Sequence, residues 1–410
     1  MIRRNIEDKV RMALVDTPVV FLTGARQTGK TTLVRQIAKD LPGAGYISLD
    51  DLSAFALASA NPQGFLDNLP RPVILDEVQK APALFDAIKR EVDRNHTPGQ
   101  FLLTGSAHLL TIPALSRALV GRVEILPLFP FSQGELVGRK ERWLDRVFAE
   151  ESITLSSDRL DLKTLAERLV LGGYPAAVQR STANRREAWF ASYLTTLLQR
   201  DVRDLSRIEG LGALPNLLSL VAARSASLLN VAELARSSGL PATTLNRYFA
   251  LLEGLFLVIR VPAWSRNLTK RLTRAPKIQL IDSGVACYLL GLDAQGLQGN
   301  TVRMGPLLEN FVAVELMKQI SWSDSRASLY HYRTTAGKEV DFVLEDRGGS
   351  VVGIEVKLAA SVQARDFLGL RSLQETAGAA FVRGVVLYLG EQILPAGERL
   401  WAVPLAEMFR

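Results

Sequence analysis

Along the first 135 residues, short apolar runs alternate with stretches of helical periodicity. The runs are Val19–Thr23, Tyr46–Asp50, Pro72–Asp76 and Gln100–Thr104; the helical stretches include Thr31–Asp40 and Leu84–Arg94. Apolar runs without polar alternation suit strands buried on both faces, so the pattern predicts a parallel α/β sheet. From about Glu141 to Arg224 the periodicity is helical, with a break at Gly172-Gly173-Tyr174-Pro175. The segment on to about Leu292 reads as two short helices around a turn, followed by a strand. The last 110 residues return to mixed helix and strand.

Composition changes this picture little. The chain has 410 residues, 48% hydrophobic and 22% charged, which is ordinary for a globular protein of two or three domains. A net charge of +7 permits an acidic partner such as nucleic acid without requiring one. Cys287 is the single cysteine, which excludes an internal disulfide framework and reads as a small core residue. With His96, His108 and His331 scattered, no zinc pattern forms. No run approaches the roughly 20 apolar residues of a membrane span. Arg3 and Arg4 are followed by no apolar leader segment. The expectation is a cytoplasmic protein without a membrane partner.

Gly24-Ala25-Arg26-Gln27-Thr28-Gly29-Lys30-Thr31 matches the P-loop pattern, between an apolar run and a helix. Glycines let the backbone turn tightly enough to point successive N–H groups into a phosphate cavity. ATP contacts are therefore expected from Gly24 through Thr32: Gly24, Ala25, Arg26, Gln27, Thr28, Gly29, Lys30, Thr31 and Thr32. Lys30 would reach the β- and γ-phosphates, and Thr31 would bind Mg²⁺ through its hydroxyl. Val73-Ile74-Leu75-Asp76-Glu77 is an apolar strand ending in two carboxylates. Asp76 can hold Mg²⁺ through water, and Glu77 can orient the attacking water. Thr104 and Ser106, closing a third strand, are candidate sensors of the γ-phosphate, with helix capping as the alternative. Arg117 and Arg122 are candidate arginine fingers acting on a neighbouring subunit of a homo-oligomer. Arg122 is the preferred one, against a plain salt bridge.

Together these motifs resemble a family of bacterial and archaeal AAA+-related ATPases with a C-terminal domain of unknown function. The matching stretches are Leu22–Leu33, Leu49-Asp50-Asp51, Ile74–Pro82, Leu103–Ala107, Leu119–Arg122 and Pro127–Glu135. Gly172–Pro175, Arg200-Asp201-Val202 and Gly305 to Lys357 match downstream. The resemblance implies ATP binding at Gly29, Lys30 and Thr31, and a Mg²⁺ and water site at Asp76 and Glu77. It implies no cellular role.

Two further constellations lie beyond the ATPase motifs. Asn230 can cap a helix over Val231–Arg236, Gly239 allows a turn, and Pro241 opens a second helix, Ala242–Leu252. This second helix carries Thr243, Thr244, Asn246 and Arg247, and Leu255–Val261 follows as a strand. The spacing is that of a winged helix. Between Arg260 and Lys277 lie Trp264, Arg266, Lys270, Arg271 and Arg274 and no acidic residue. Such a stretch can meet DNA phosphates, or the unit can be a lid that contacts protein. Further on, Asp341 and Glu355-Val356-Lys357 sit in strand-like runs, and Glu309 in a helix over Pro306–Ile320. This set resembles the PD-(D/E)XK nuclease core. The resemblance implies that Glu309, Asp341 and Glu355 hold Mg²⁺ or Mn²⁺ and that Lys357 aids the attacking water. The alternatives are a nuclease-like fold kept for recognition and an exposed salt-bridged strand pair.

The predicted architecture is thus α/β throughout. Residues 1–140 form a P-loop AAA+-like ATPase domain, 141–224 a helical connector, 225–295 a winged helix and 296–410 a nuclease-like domain. The expected activity is ATP hydrolysis coupled to DNA, with a deoxyribonuclease as a further possibility. The alternative is an ATP-driven switch whose C-terminal domain binds a protein partner.

Overall fold

The computed structural model describes residues 2–106, 118–149, 159–201 and 211–410. It divides into two compact units, Met1–Phe131 with Ala250–Leu257, and Ser132–Phe249 with Val258–Arg410.

The first unit holds a parallel sheet of β1 (Val19–Thr23), β2 (Gly45–Ser48), β3 (Val73–Asp76), β4 (Phe101–Gly105) and β5 (Val123–Pro127). Their spatial order is β2-β3-β4-β1-β5. Every residue of β1, β3 and β4 is buried, which is why these segments lack polar alternation. Alternation persists in direction. Val20 and Leu22 pack on one face with Leu33, Val34 and Ile37 of the helix Lys30–Lys39. Val19 and Phe21 pack on the other with Leu84, Phe85 and Ile88 of the helix Ala83–Arg94. Each such side chain contributes about 1.5–3 kcal/mol by leaving water. Because β4 lies between β1 and β3, its C-terminal end stands between the P-loop and the carboxylates that end β3. Two short helices were not expected from the sequence. They are Leu52–Ala60, capped by Asp51, and Pro62–Asp67, capped by Asn61. The first leaves Leu52 and Leu57 exposed, so no amphipathic pattern announces it.

The second unit begins with helices, including Trp143–Phe148, Leu162–Leu171, Ala183–Thr196 and Leu214–Ala223. The Gly172 break has a steric cause. Gly172 has φ 64°, and a Cβ there would meet Asp282 Oδ1 at 2.3 Å. Asp282 instead accepts the Gly173 N–H at 2.7 Å and caps the helix Ser283–Leu289. The two expected short helices are Val231–Ser238, ended by left-handed Gly239, and Ala242–Gly254. The strand after it is shorter than expected. It is β6 (Val258–Val261), paired antiparallel with β7 (Lys277–Leu280).

A six-stranded mixed sheet follows, of β8 (Ser328–Arg333), β9 (Glu339–Glu345), β10 (Val351–Val356), β11 (Phe381–Tyr388), β12 (Leu394–Gly397) and β13 (Leu400–Pro404). Its order is β12-β13-β11-β10-β9-β8. The expected helix Pro306–Ile320 runs from Thr301 to Trp322. It is buried along much of its length, and three of its buried polar residues bond backbone groups: Asn310 at Leu280, Glu315 at Gln133, Gln319 at Leu144 and Met408. Among the described residues no helix is long and apolar enough to cross a membrane.

Candidate functional site

The P-loop leaves β1 and enters the helix Lys30–Lys39. Gly24 has φ 153°, and a Cβ there would meet the Leu128 carbonyl oxygen at 2.2 Å, so only glycine fits. Gly29 has φ 97° and stands in the left-handed region just before the helix. Gln27 also has positive φ, 62°. This backbone turns the loop around the Lys30 side chain, which is buried and donates to the carbonyls of Gly24 (2.9 Å) and Ala25 (2.8 Å). Burial pushes the Lys30 ammonium down to about 8, against the pull of Glu77 and Asp76.

Asp76 ends β3 as a buried carboxylate with three hydroxyl donors. Thr31 donates to Oδ2 at 2.8 Å, Tyr46 donates to Oδ2 at 2.7 Å, and Thr104 donates to Oδ1. The same Thr104 oxygen accepts the Glu77 N–H at 3.0 Å, so one side chain links both carboxylate residues. Glu77 is left-handed (φ 59°), which turns its side chain out of the strand direction. Its Oε2 accepts from Gln79 Nε2 and from the Ser106 hydroxyl at 3.2 Å. Thr31, Asp76, Glu77, Thr104 and Ser106 are thus brought together.

Three residues of this site escaped the sequence reading: Tyr46, Gln79 and Arg4. The buried Arg4 donates to the carbonyls of Thr28 (2.7 Å) and Phe129 (2.6 Å) and lies over the Phe131 ring at 4.8 Å. It fastens the P-loop from outside. Arg122 is not among these groups; it is paired with Asp93 and donates to the Val120 carbonyl. Arg117, His108 and Val202 lie outside the described residues.

The second unit gathers Glu309, Asp341, Glu355 and Lys357, with an addition. Lys277 of β7 is buried between two of the carboxylates, 2.6 Å from Glu309 Oε1 and 3.3 Å from Asp341 Oδ1. Asp341 Oδ2 accepts the Val356 N–H at 2.9 Å, Glu355 Oε2 accepts the Asp341 N–H at 3.4 Å, and Lys357 donates to Glu355 Oε1 at 2.7 Å. Burial and then Asp341 push Glu309 up to about 8 and Glu355 up to about 7. Burial opposes the Lys277 ammonium, but Asp341 and Glu309 outweigh it and hold its affinity for protons above that of an ordinary lysine. The nuclease-core resemblance implies Mg²⁺ or Mn²⁺ at Glu309, Asp341 and Glu355. As they stand, the residues do not fit a divalent ion, because an ammonium fills the place between Glu309 and Asp341.

The basic stretch is also engaged more than its composition suggests. Arg271 pairs with Glu345 (2.7 Å) and lies against Trp264 and Tyr330. Arg266 donates to the Ala377 carbonyl at 2.6 Å and Arg274 to that of Arg333 at 3.0 Å. Lys270 stays exposed, as do Thr243, Asn246 and Arg247 of the second helix; Thr244 is half-buried.

Residues 16–137 match the family described as AAA domain. Residues 162–296 and 304–408 match two domains of unknown function, DUF8612 and DUF4143. An uncharacterized protein of Mycobacterium tuberculosis is 31% identical over 404 residues, covering 98% of this chain and 83% of the relative. One from Mycobacterium bovis matches to the same extent. Among solved structures, a Walker-type ATPase of Pyrococcus abyssi superposes with a TM-score of 0.43 at 14% identity, covering 71% of this chain and 96% of the other. AMPPCP-bound DnaA from Aquifex aeolicus gives a TM-score of 0.28 at 14% identity, covering 60% of this chain and 85% of the other.

Proposed function

From the premise that this chain belongs to the AAA-domain P-loop ATPases carrying DUF8612 and DUF4143 regions, we propose that it hydrolyses ATP with Mg²⁺ and that ATP turnover governs how its helix-turn-helix engages DNA. The observation that carries the ATPase reading is the Thr31–Asp76 pair beside the buried Lys30, with Glu77 fastened next to it. Thr31 and Asp76 offer the all-oxygen donors that suit Mg²⁺ and would hold it, where it would offset phosphate charge. Lys30 would exchange its two carbonyl bonds for phosphate oxygens, which restores a full counter-charge to its ammonium. Gln79 and Ser106 both bind Oε2 of Glu77, leaving Oε1 to orient and accept the proton of the attacking water. Thr104 joins Asp76 to Glu77, so a change at the γ-phosphate would reach both.

Arg122 in trans is part of this proposal. Its bond to Asp93 is partly exposed and contributes about 0–1 kcal/mol, so it can exchange for a neighbour's phosphate at little cost. Arg122→Ala is expected to lower turnover about a thousandfold, and native turnover per subunit to rise with protein concentration. Native-like turnover by the variant leaves Arg122 with a structural role only.

The DNA reading rests on the second helix, whose Asn246 and Arg247 are exposed, and on Lys270. Affinity should fall as salt rises, because bound phosphates release counterions. Lys270→Glu should weaken binding to all sequences alike and reduce the salt slope by about one. Arg271→Glu is a different experiment. It opposes Glu345 with a like charge, so a lower melting temperature is expected. The internal engagement of Arg266, Arg271 and Arg274 favours a second reading, a switch that binds a protein partner. Absence of any native DNA shift at low salt would decide for it. No cleavage step is derived for the C-terminal carboxylates, since Lys277 stands among them.

A further inference from the structure

Three half-buried carboxylates close together repel one another unless protons or cations intervene. Glu309 comes from the helix Thr301–Trp322, Asp341 from β9 and Glu355 from β10. Two lysines supply the cations, one at each end: Lys357 on Glu355, and Lys277 on Glu309 and Asp341. The two differ in kind. Lys357 is a neighbour in sequence and is one-third exposed, whereas Lys277 has 7% of its side chain exposed and arrives from another sheet. β7 brings it, pinned by pairing with Val261 of β6 and by the bridge to Leu228.

We infer that Lys277 is the resident cation of this pocket: its ammonium closes the Glu309–Asp341 pair to divalent ions and locks the β6–β7 sheet onto the C-terminal sheet. The geometry explains the cost structure on both sides. A buried ammonium without counter-charges is strongly unfavourable, and so are the two carboxylates without a cation. Each therefore holds the other, and a divalent ion can enter only where the lysine is gone. Hard oxygen ligands then suit Mg²⁺ or Mn²⁺. The inference depends on neither the ATPase nor the DNA reading, and its test contains no nucleotide and no nucleic acid.

Mn²⁺ titrated into the full chain, followed by electron paramagnetic resonance, tests it. Lys277→Met keeps the apolar stem and removes the charge. This variant is expected to bind Mn²⁺ at least about tenfold more tightly than the native chain, given the Coulomb energy of an ammonium at contact distance. Adding Asp341→Asn should abolish that binding, and Lys277→Arg should restore the native behaviour. A folded Lys277→Met chain that gains no Asp341-dependent Mn²⁺ overturns the inference. Should that variant fail to fold, the native chain decides. Native Mn²⁺ binding that Asp341→Asn removes shows the lysine to be no barrier, whereas its absence up to millimolar Mn²⁺ sustains the lock.

Discussion

Lys30→Met is expected to lose tight ATP binding while leaving the nucleotide-free chain as stable as the native one. The two halves of this expectation have one cause. In the folded chain the ammonium is buried against two carbonyls, and burial holds it at about 8 rather than the ordinary 10.5. The folded state therefore binds this proton less well than the unfolded state. That cost is fully present below about pH 8 and disappears as pH rises towards 10.5. Methionine keeps the stem and removes the cost, so the melting temperature at neutral pH should not fall. ATP binding should suffer in the opposite sense. Removing one partner from a buried, hydrogen-bonded charge pair costs about 2–5 kcal/mol, or about thirtyfold to several thousandfold in Kd. Titration calorimetry with ATP and Mg²⁺, beside thermal melts without nucleotide, checks both. Unchanged ATP affinity would remove the P-loop assignment.

The sequence made this site legible because its parts are local. A P-loop is one contiguous turn, and β3 carries its carboxylates at its own end, so neither needs knowledge of the sheet order. Tyr46 shows where local reading stops. It stands in β2, opposite Ile74 of β3, and its hydroxyl reaches Asp76 only because those two strands are neighbours. Arg4 was visible merely as N-terminal charge, yet it spans 125 residues to the Phe129 carbonyl. In the second unit the distances grow and the reading weakens accordingly. Arg271 sat in a run without acidic residues, which suggested phosphates; its partner Glu345 is 74 residues on. Lys277 closed the same run, and nothing nearby hinted at Glu309 or Asp341. Asp341, Glu355 and Lys357 stand out in sequence because they fall in two short neighbouring runs, now β9 and β10, with Glu309 in the helix upstream. What neutralises the carboxylates is a matter of how sheets meet, and a linear pattern does not carry that.

Glu77→Gln should separate binding from chemistry more sharply than any other change. The amide keeps the size and shape of the side chain and can still accept from Gln79 and Ser106 through its oxygen. Thr31 and Thr104 keep their bonds to Asp76, and the bond from Glu77 to the Thr104 hydroxyl comes from the backbone N–H, which the substitution leaves intact. ATP and Mg²⁺ affinity should therefore stay within a few-fold of native. An amide, however, cannot take a proton from water. Loss of a positioned base typically costs about 10²- to 10⁴-fold in rate, and turnover should fall within that range. Ser106→Ala provides the graded comparison. It removes one of the two donors that orient Oε2 but keeps the base, so a fall of less than about tenfold is expected, in line with a neutral hydrogen bond of about 1 kcal/mol. Single-turnover hydrolysis with saturating ATP measures the chemical step for all three chains, free of product release. Full activity in Glu77→Gln would assign the water to another group and leave Glu77 with its bonds to Gln79 and Ser106 alone.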